Sequence, residues 1–351
     1  MATKTTNPWG AASIVHSYDR GDHAAPPHIR HLPLSASLFD VGIFRDTLLP
    51  SVALHSSLSA VAYAVGRYTD RVETKDWLWP GAQIVNAWWS SVGRRVVLDG
   101  VPLGGVVATL SRPERLLLTG VTLWGGRLLY RLVSRSVRRG GKDDPRYAAA
   151  KKDPNFWNSA LLKVYIPEAL LQTIIALPFT APFRHQGAVL PGGYHPLLQA
   201  IAVGVFSTGF ALEVLADWQL DKHNRTQAGS MCREGVWSLV RHPNYLGDAL
   251  VHLSFPILLY ASDMLAPIEI LGPVANYYFL KYIGGAKQAD ADQEERYAKE
   301  DVAKKVDYDE YKKERNAFWP DAGQIANKWT WIVLGFGVAG AVVERAVNEM
   351  F

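Results

Sequence analysis

Long apolar segments recur along most of this chain, and they constrain its fold more than any other feature. Eight of them alternate with polar stretches: 47–66, 77–92, 115–133, 160–183, 196–216, 245–262, 264–282 and 330–343. One soluble core cannot bury so many helices that are apolar on all sides. The sequence therefore predicts an all-α, polytopic membrane helix bundle of about seven spans, within six to eight, since a span needs about 20 residues. The eighth segment is short for a span, so it either crosses the membrane or lies in the interface.

The distribution of basic residues favours the same fold and gives it an orientation. The stretches 134–158, 217–244 and 284–328 hold seven, four and nine Lys or Arg residues, and all three fall on one side if segments three to seven span. The loops of the opposite side carry only Arg184. By the positive-inside rule, the basic side faces the cytoplasm. Arg94 and Arg95 fall on the other side and do not fit this pattern.

Four regions follow from these patterns. Residues 1–45 form a polar N-terminal arm, 46–283 the membrane helix bundle, 284–328 a charged cytoplasmic segment, and 329–351 an apolar C-terminal helix. The chain has 37 Lys or Arg and 33 Asp or Glu residues, a net charge of only +4, which excludes a nucleic-acid binder driven by a basic surface. A single cysteine, Cys232, excludes a disulfide framework and a Cys-rich metal site, and no metal is predicted.

The most informative stretch runs from Glu213 to Asp248. Glu213 and Asp217 lie four residues apart at the end of an apolar helix and therefore share one face. Carboxylates at that depth are costly unless they are paired or functional. The basic residues nearest in sequence are the expected partners: Lys222, Arg225 and Arg241.

The sequence Arg241-His242-Pro243-Asn244-Tyr245 opens the next apolar segment. Proline suits the first turn of a helix, where its missing N–H would have no partner anyway. The free amides of that turn and the Asn244 side chain are able to hold an anion or an amide-bearing ligand, and Arg241 is able to pair with a phosphate. The alternative is a capped membrane helix whose arginine extends to the interface. The residues alone leave both interpretations open.

Three further features each have two interpretations. His252 follows Asp248 by four residues, so the two form either a proton relay or a helix–helix hydrogen bond. Glu168, inside the fourth segment, is either an acid that faces a substrate or a structural group. The pattern Gly335-x-Gly337-x-x-Gly340 matches a dinucleotide fingerprint, but no βαβ unit surrounds it. It is predicted to be a small-residue face that lets another helix approach closely.

Taken together, these residues resemble the steroid 5α-reductase C-terminal-domain superfamily, and within it the DUF1295 group of membrane reductase-like proteins. The main match is the string Gly-Val-Trp237 followed by Arg241-His-Pro-Asn-Tyr-Leu-Gly-Asp248. Further landmarks follow in the group's order: Trp124-x-x-Arg127-Leu128, Lys142-Asp-Asp144-Pro-Arg146-Tyr147, Ala216-Asp217-x-Gln219, and Tyr308-x-x-Tyr311 before Phe318-x-Pro320. The resemblance covers roughly residues 105–320.

Characterised relatives bind NADPH in a bundle of membrane helices and reduce an activated carbon–carbon double bond of a lipid. The resemblance implies that Asn244 holds the nicotinamide amide, and that Arg225, Arg241 and Tyr311 lie near the phosphates and ribose. It also implies that Asp217 binds the adenosine half or orients the arginines. The implied cofactor set further includes Arg127, His242 and Tyr245. A dry pocket in a membrane bundle, with charges at its cytoplasmic mouth, suits a hydride donor.

One departure concerns catalysis. Three residues before Arg127, steroid 5α-reductases carry a tyrosine that polarises the substrate ketone, whereas this chain has Trp124. An indole N–H donates a hydrogen bond but cannot supply a proton. This argues against reduction of a 3-keto steroid and leaves other reductase chemistry open. The catalytic candidates are Trp124, Glu168 and His252.

Three functions are therefore considered. The first is an integral-membrane, NADPH-dependent reductase of a sterol-like or other lipid. The second is an S-adenosylmethionine-dependent membrane methyltransferase of the isoprenylcysteine or phospholipid type, which shares the Arg-His-Pro turn. The third is a non-catalytic membrane protein that keeps the fold. The resemblance favours the endoplasmic reticulum over the mitochondrion. The N-terminal arm favours it too, because it carries acidic residues that a mitochondrial presequence lacks.

Overall fold

The computed structural model describes residues 41–184, 189–190, 195–227, 230–300 and 302–350. The predicted arm, 1–45, lies outside the described residues except for its last five. No strand occurs in the described part of the chain, so the all-α prediction is confirmed there. The helices are α1 (Phe44–Thr69), α2 (Leu78–Trp88), α3 (Leu103–Ala108), α4 (Arg112–Arg138), α5 (Phe156–Ile175), α6 (Leu177–Arg184), α7 (Pro196–Thr226), α8 (Pro243–Tyr260), α9 (Leu271–Tyr278), α10 (Ala286–Glu300), α11 (Val302–Glu314) and α12 (Lys328–Met350).

Fewer helices meet the requirements for a membrane span than the sequence predicts. By length and apolar composition, α1, α7 and α12 qualify, and α5 with α6 makes a fourth if this pair, bent by 60°, counts as one span. The count of about seven is not confirmed. The apolar segments do become helices. Helix α2 continues through the π-helical turn Trp89–Gly93 into Arg94–Val97, which begins with two arginines, and α9 adds only the five-residue π-helical turn Phe279–Ile283 to its 8 residues. Helix α4 carries arginines along its whole length, which lowers its mean hydropathy.

The C-terminal helix is longer than its apolar core. The apolar run 330–343 is extended at both ends, so α12 has 23 residues and is long enough to cross a membrane. The charge that ends the apolar run, Glu344, pairs with Arg112 at the start of α4, with 2.7 Å between Nη2 and Oε1. This pairing lowers the cost of continuing the helix past residue 343.

Glycines let three helices approach each other closely. A Cβ on Gly247 of α8 would lie 2.5 Å from the Gly209 carbonyl oxygen of α7, so neither position has room for a side chain. A Cβ on Gly337 of α12 would lie 2.7 Å from the Gly204 carbonyl oxygen of α7. Gly337 and Gly340 of the glycine-rich pattern, which both face α7, therefore form the predicted helix-packing face. Helix α7 is held between α8 and α12 by these contacts.

The bundle has two ends that differ in chemistry. We call the end that carries the loops 139–155 and 235–242 the basic end. The end that carries Arg184 and the loop 261–266 is called the opposite end. There, the Leu190 N–H donates to the Leu265 carbonyl (2.8 Å) and the His195 N–H donates to the Ala261 carbonyl (3.2 Å). Helix α8 begins at the basic end and finishes at the opposite end.

Candidate functional site

Helices α4 and α7 carry a ladder of opposite charges. Arg127 Nη1 lies 2.7 Å from Glu213 Oε1, and Arg127 also bonds Asp217. One turn further, Arg131 Nε lies 2.8 Å from Asp217 and Arg131 Nη1 lies 3.3 Å from Asp221. Helices α4 and α7 both run towards the basic end. Residues spaced by four on α4 therefore lie opposite residues spaced by four on α7. The ladder satisfies charges that would be costly alone inside the bundle.

The partners predicted from sequence proximity are wrong. Helix α7 continues without a break to Thr226, so Lys222 and Arg225 are carried past the carboxylates towards the basic end. Lys222 lies over the Trp218 ring at 5.4 Å, and Arg225 is exposed. The carboxylates of α7 therefore pair with arginines of the helix packed alongside, and not with the basic residues that follow them on α7.

A polar line runs along α8 and faces this ladder. Asn244, Asp248 and His252 follow one another at intervals of four residues, so they share one face. His252 Nδ1 lies 3.0 Å from Asp248 Oδ1, and Asp248 also accepts a hydrogen bond of 2.9 Å from the Asn276 amide of α9. The predicted Asp248–His252 pair is therefore present. The Trp124 ring meets His252 edge to face, with 4.7 Å between ring centroids.

Several buried polar atoms in this region have no hydrogen-bond partner among the residues that the structure describes. They are Trp124 Nε1, Glu213 Oε2, Asn244 Oδ1, His252 Nε2 and Asn276 Oδ1. We call these five residues together with Asp248 the α8 cluster. A buried polar atom without a partner is costly, so such groups mark places where a ligand or an ordered water binds. The cluster therefore offers a ligand two ring nitrogens, of Trp124 and His252, and three side-chain oxygens.

Basic residues act electrostatically on the start of α8, beside the α8 cluster. Tyr245, next to Asn244, lies within the electrostatic reach of Arg135 and Arg146 as well as of Asp217. Arg135 and Arg146 both pair with Asp144, at 2.9 and 3.1 Å. Burial favours the neutral form of Asp144, but its arginines outweigh this and hold the pKa of its carboxyl below the usual range. The Asp144 carboxyl therefore stays charged, and Arg135 and Arg146 both act electrostatically on Tyr245.

The Arg241-His242 pair serves a different contact. Both residues bind Asp290 of α10, with 2.6 Å from Arg241 Nη2 and 2.7 Å from His242 Nε2. The Tyr308 hydroxyl of α11 donates to the same carboxylate at 2.6 Å. Burial opposes the charged form of Asp290, yet these three donors lower the pKa of its carboxyl well below the usual range. Arg241 Nη1 also donates to the Arg315 carbonyl at 2.6 Å.

These contacts place Arg241, His242 and Tyr311 in a clamp rather than at an open ligand site. The Tyr311 hydroxyl donates to the Trp237 carbonyl. The clamp fixes the charged segment on the turn that precedes α8, and so fixes the position of Asn244. Asp290 is the residue that sequence reasoning missed. Its only signal in the sequence is its place at the start of the charged stretch.

Glu168 belongs to a separate group at the basic end. Its Oε2 lies 2.9 Å from Lys75 Nζ, and Lys75 also pairs with Asp76 at 3.0 Å. Asp76 in turn accepts from the Tyr147 hydroxyl at 2.6 Å. Of the three catalytic candidates, the structure brings Trp124 and His252 together and places Glu168 with Lys75. The Lys-Asp-Asp-Pro-Arg-Tyr landmark folds onto this group through Tyr147.

Comparison with known proteins gives one result. The model of a family described as "Protein of unknown function (DUF1295)" matches residues 62–315. No curated protein and no solved structure matches the chain. The matched range contains all of the residues of the α8 cluster, the charge ladder and the Asp290 clamp.

Proposed function

The chain belongs to the DUF1295 family, and from this premise we propose that it is an integral-membrane, NADPH-dependent reductase of a carbon–carbon double bond in a sterol-like or other lipid. The observation that carries the proposal is the α8 cluster. It combines buried polar atoms that have no partner in the described part of the chain with two arginines, Arg135 and Arg146, that act electrostatically on Tyr245 beside Asn244. A dinucleotide needs the same two features, an enclosed polar pocket for the ring and cations for the phosphates.

The fit to NADPH is argued from the chain's own atoms. Asn244 offers an amide whose oxygen has no partner among the described residues, suited to the carboxamide of nicotinamide. Arg135 and Arg146 replace Arg241 in this proposal as the phosphate ligands. Both Nη atoms of Arg241 bind the protein, whereas Arg135 pairs with Asp144 through Nη2 and its Nε has no partner among the described residues. Arg127 orients Asp217, and Tyr245, which follows Asn244 in the sequence, feels the charges of Arg135, Arg146 and Asp217.

Reduction of a double bond also needs a proton. NADPH supplies the hydride when bound, and the protein must deliver one proton to the other carbon. His252 suits this role because Asp248 holds its Nδ1 at 3.0 Å, which leaves Nε2, without a partner among the described residues, to face the substrate. Trp124 Nε1, beside His252, would orient the substrate by a hydrogen bond. Glu168, paired with Lys75, has no role in this proposal.

A lipid substrate is supported by the outer face of the same helix. A groove of about 650 Å³ runs along α7, α8 and α9 and has an almost entirely apolar lining. Leu253 of this lining is next in sequence to His252, and Trp319 stands at the rim near the basic end. We propose that a hydrocarbon chain of the substrate lies along this groove. The endoplasmic reticulum remains the proposed membrane.

The test is nucleotide binding by the detergent-purified protein. NADPH, NADH and S-adenosylmethionine are titrated in turn, with energy transfer from tryptophan to bound NADPH as one readout and calorimetry for all three. We expect saturable binding of NADPH, and a dissociation constant at least about tenfold higher in Asn244→Ala, equivalent to about 1.4 kcal/mol. Asn224→Ala, at an exposed position beyond the carboxylates of α7, is the matched control.

Each outcome decides between the three functions. Binding of S-adenosylmethionine without NADPH would identify a methyltransferase. Binding of neither ligand would indicate a non-catalytic membrane protein. Normal NADPH affinity in Asn244→Ala would show that the cofactor is held elsewhere, even if the protein is a reductase.

A further inference from the structure

Arg184 is a buried cation at the opposite end of the bundle. It ends α6 and is 8% exposed. Its side chain points between α1 and α2: Nη1 lies 3.5 Å from the Thr47 carbonyl oxygen, and Nη2 lies 3.5 Å from Asn86 Oδ1. Both distances are at the limit of a hydrogen bond. The remaining donor, Nε, has no partner among the described residues.

The charge of Arg184 is not balanced by the surrounding helices. None of the ion pairs formed by the described residues includes Arg184, and both of its side-chain contacts are to neutral oxygens. The charged group that influences it is a second cation, Arg94. Other buried arginines of the bundle, such as Arg127, pair with carboxylates. A buried charge without a counter-ion is strongly unfavourable. Among the described residues, Arg184 therefore has no anion with which to complete an ion pair.

The surroundings of Arg184 supply further hydrogen-bond donors. Thr47 and Ser51 lie one turn apart on the buried face of α1, and their hydroxyl oxygens have no partner in the part of the chain that the structure describes. One turn beyond Ser51, His55 lies 3.2 Å from the Asn86 amide. All of these side chains are fully buried. Burial of unpartnered hydroxyls costs free energy, and a ligand that binds to this polar face would offset that cost.

We propose that Arg184, Thr47 and Ser51 form a second binding site, which takes an oxyanion such as a carboxylate or phosphate group. A guanidinium with a free Nε–H and two unpartnered hydroxyls matches the oxygen atoms of such a group. The site is separate from the α8 cluster, because Asn244 lies at the basic end and Arg184 at the opposite end. The group belongs either to a free small molecule or to the headgroup of an anionic lipid.

The test measures thermal stability of the purified full chain in nanodiscs. Inorganic phosphate is added at constant ionic strength, balanced with potassium chloride, to protein in phosphatidylcholine nanodiscs. A ligand that binds only the folded state raises Tm, by about 2 °C or more when it is present well above its dissociation constant. Replacement of phosphatidylcholine by phosphatidylglycerol tests the lipid headgroup as the source. A rise with phosphate indicates a free anion, and a rise only with phosphatidylglycerol indicates a lipid.

Three variants make the result specific to the site. Arg184→Gln abolishes the rise in Tm, whereas Arg345→Gln, which removes the same charge from an exposed position of α12, keeps it. Ser51→Ala removes a hydroxyl that has no partner among the described residues, so it leaves the fold intact and reduces the rise. This variant decides the question if Arg184→Gln does not fold. The inference is wrong if neither anion raises Tm, or if Ser51→Ala responds fully.

Discussion

Individual charged residues in this bundle are positioned by helices distant in sequence. Glu213 is 3% exposed and Asp217 is 7% exposed, and both depend on Arg127, which comes from a helix more than eighty positions earlier. The same holds for Asp290, whose donors come from the turn before α8 and from α11. Removing one partner of such a pair leaves an uncompensated charge, which costs more than the pair itself contributes.

Arg127→Gln tests this at one residue. The substitution leaves Glu213 without its ion-pair partner, and we expect a loss of roughly 3–5 kcal/mol of stability. In contrast, Arg115→Gln on the same helix changes an exposed side chain and should change stability by less than about 0.5 kcal/mol. Tm of the detergent-solubilised variants is the measurement. Equal Tm values for the two variants would show that the charge ladder does not stabilise the fold.

At the scale of helices, close packing depends on where glycines lie. Gly335 and Gly337 are two residues apart on α12, but only Gly337 faces α7. A Cβ on Gly337 would lie 2.7 Å from the Gly204 carbonyl oxygen, while a Cβ on Gly335 would meet nothing within 4 Å. A substitution at Gly335 therefore tests helix propensity alone, whereas a substitution at Gly337 also tests helix packing.

We expect opposite effects from alanine at these two positions. Gly337→Ala forces α12 away from α7 and should cost about 1–3 kcal/mol. Gly335→Ala improves helix propensity without a clash and should stabilise by up to about 1 kcal/mol. Thermal unfolding of both variants under one condition checks the pair. A stabilised Gly337→Ala would mean that α12 does not pack on α7 through this face.

The Asp290 clamp gives a pH dependence with a defined sign. The pKa of the Asp290 carboxyl is lowered in the folded protein by His242, Arg241 and Tyr308, against the effect of burial. Its contribution to stability is therefore complete above the unfolded value of about 4 and is lost as pH falls through the folded pKa. The Tm difference between wild type and Asp290→Asn should be largest at neutral pH and shrink below about pH 4.

The control for this pH effect is Asp309→Asn. Asp309 forms an exposed pair with Lys305 of α11, at 3.4 Å, and such pairs contribute little at any pH. Tm is measured from pH 7 down to about pH 3. A Tm difference for Asp290→Asn that stays constant over this range would contradict the clamp.

For the whole molecule, the predicted membrane bundle places the basic end and the opposite end on different sides of a membrane. Asn224 is exposed near the end of α7, at the basic end, and Met350 is the last described residue of α12 and is 70% exposed. The Glu344–Arg112 ion pair places the end of α12 beside the start of α4. Since α4 finishes at the basic end, its start and the end of α12 lie at the opposite end. Helix α12 therefore carries Met350 across the bundle from Lys328.

Cysteine labelling tests this orientation. In sealed microsomes, which expose the cytoplasmic face of the endoplasmic reticulum, a membrane-impermeant maleimide should label Asn224→Cys and not Met350→Cys, and it should label both after permeabilisation. The native Cys232 is buried, so the unmodified protein gives the background signal. Labelling of Met350→Cys without Asn224→Cys in sealed microsomes would reverse the orientation predicted from the basic loops. Equal labelling of both positions would show that α12 does not cross.

The sequence by itself determined the local features of this protein. Its long continuous apolar runs predicted the helical class, since a membrane segment of that kind satisfies its backbone groups within a helix. Pro243 fixed the start of α8, and the spacing of Asp248 and His252 fixed their contact, because residues four apart share a helix face. The small residues around Gly337 likewise predicted a close helix contact.

Only the tertiary structure decided which side chains meet between helices. Sequence proximity suggested Lys222 and Arg225 for the carboxylates of α7, but packing chose Arg127 and Arg131. It turned Arg241 to Asp290 and brought Trp124 to His252. The physical reason is that the periodicity of one helix defines its faces but carries no information on which other helix covers them. That choice depends on side-chain volume and charge summed over the whole bundle.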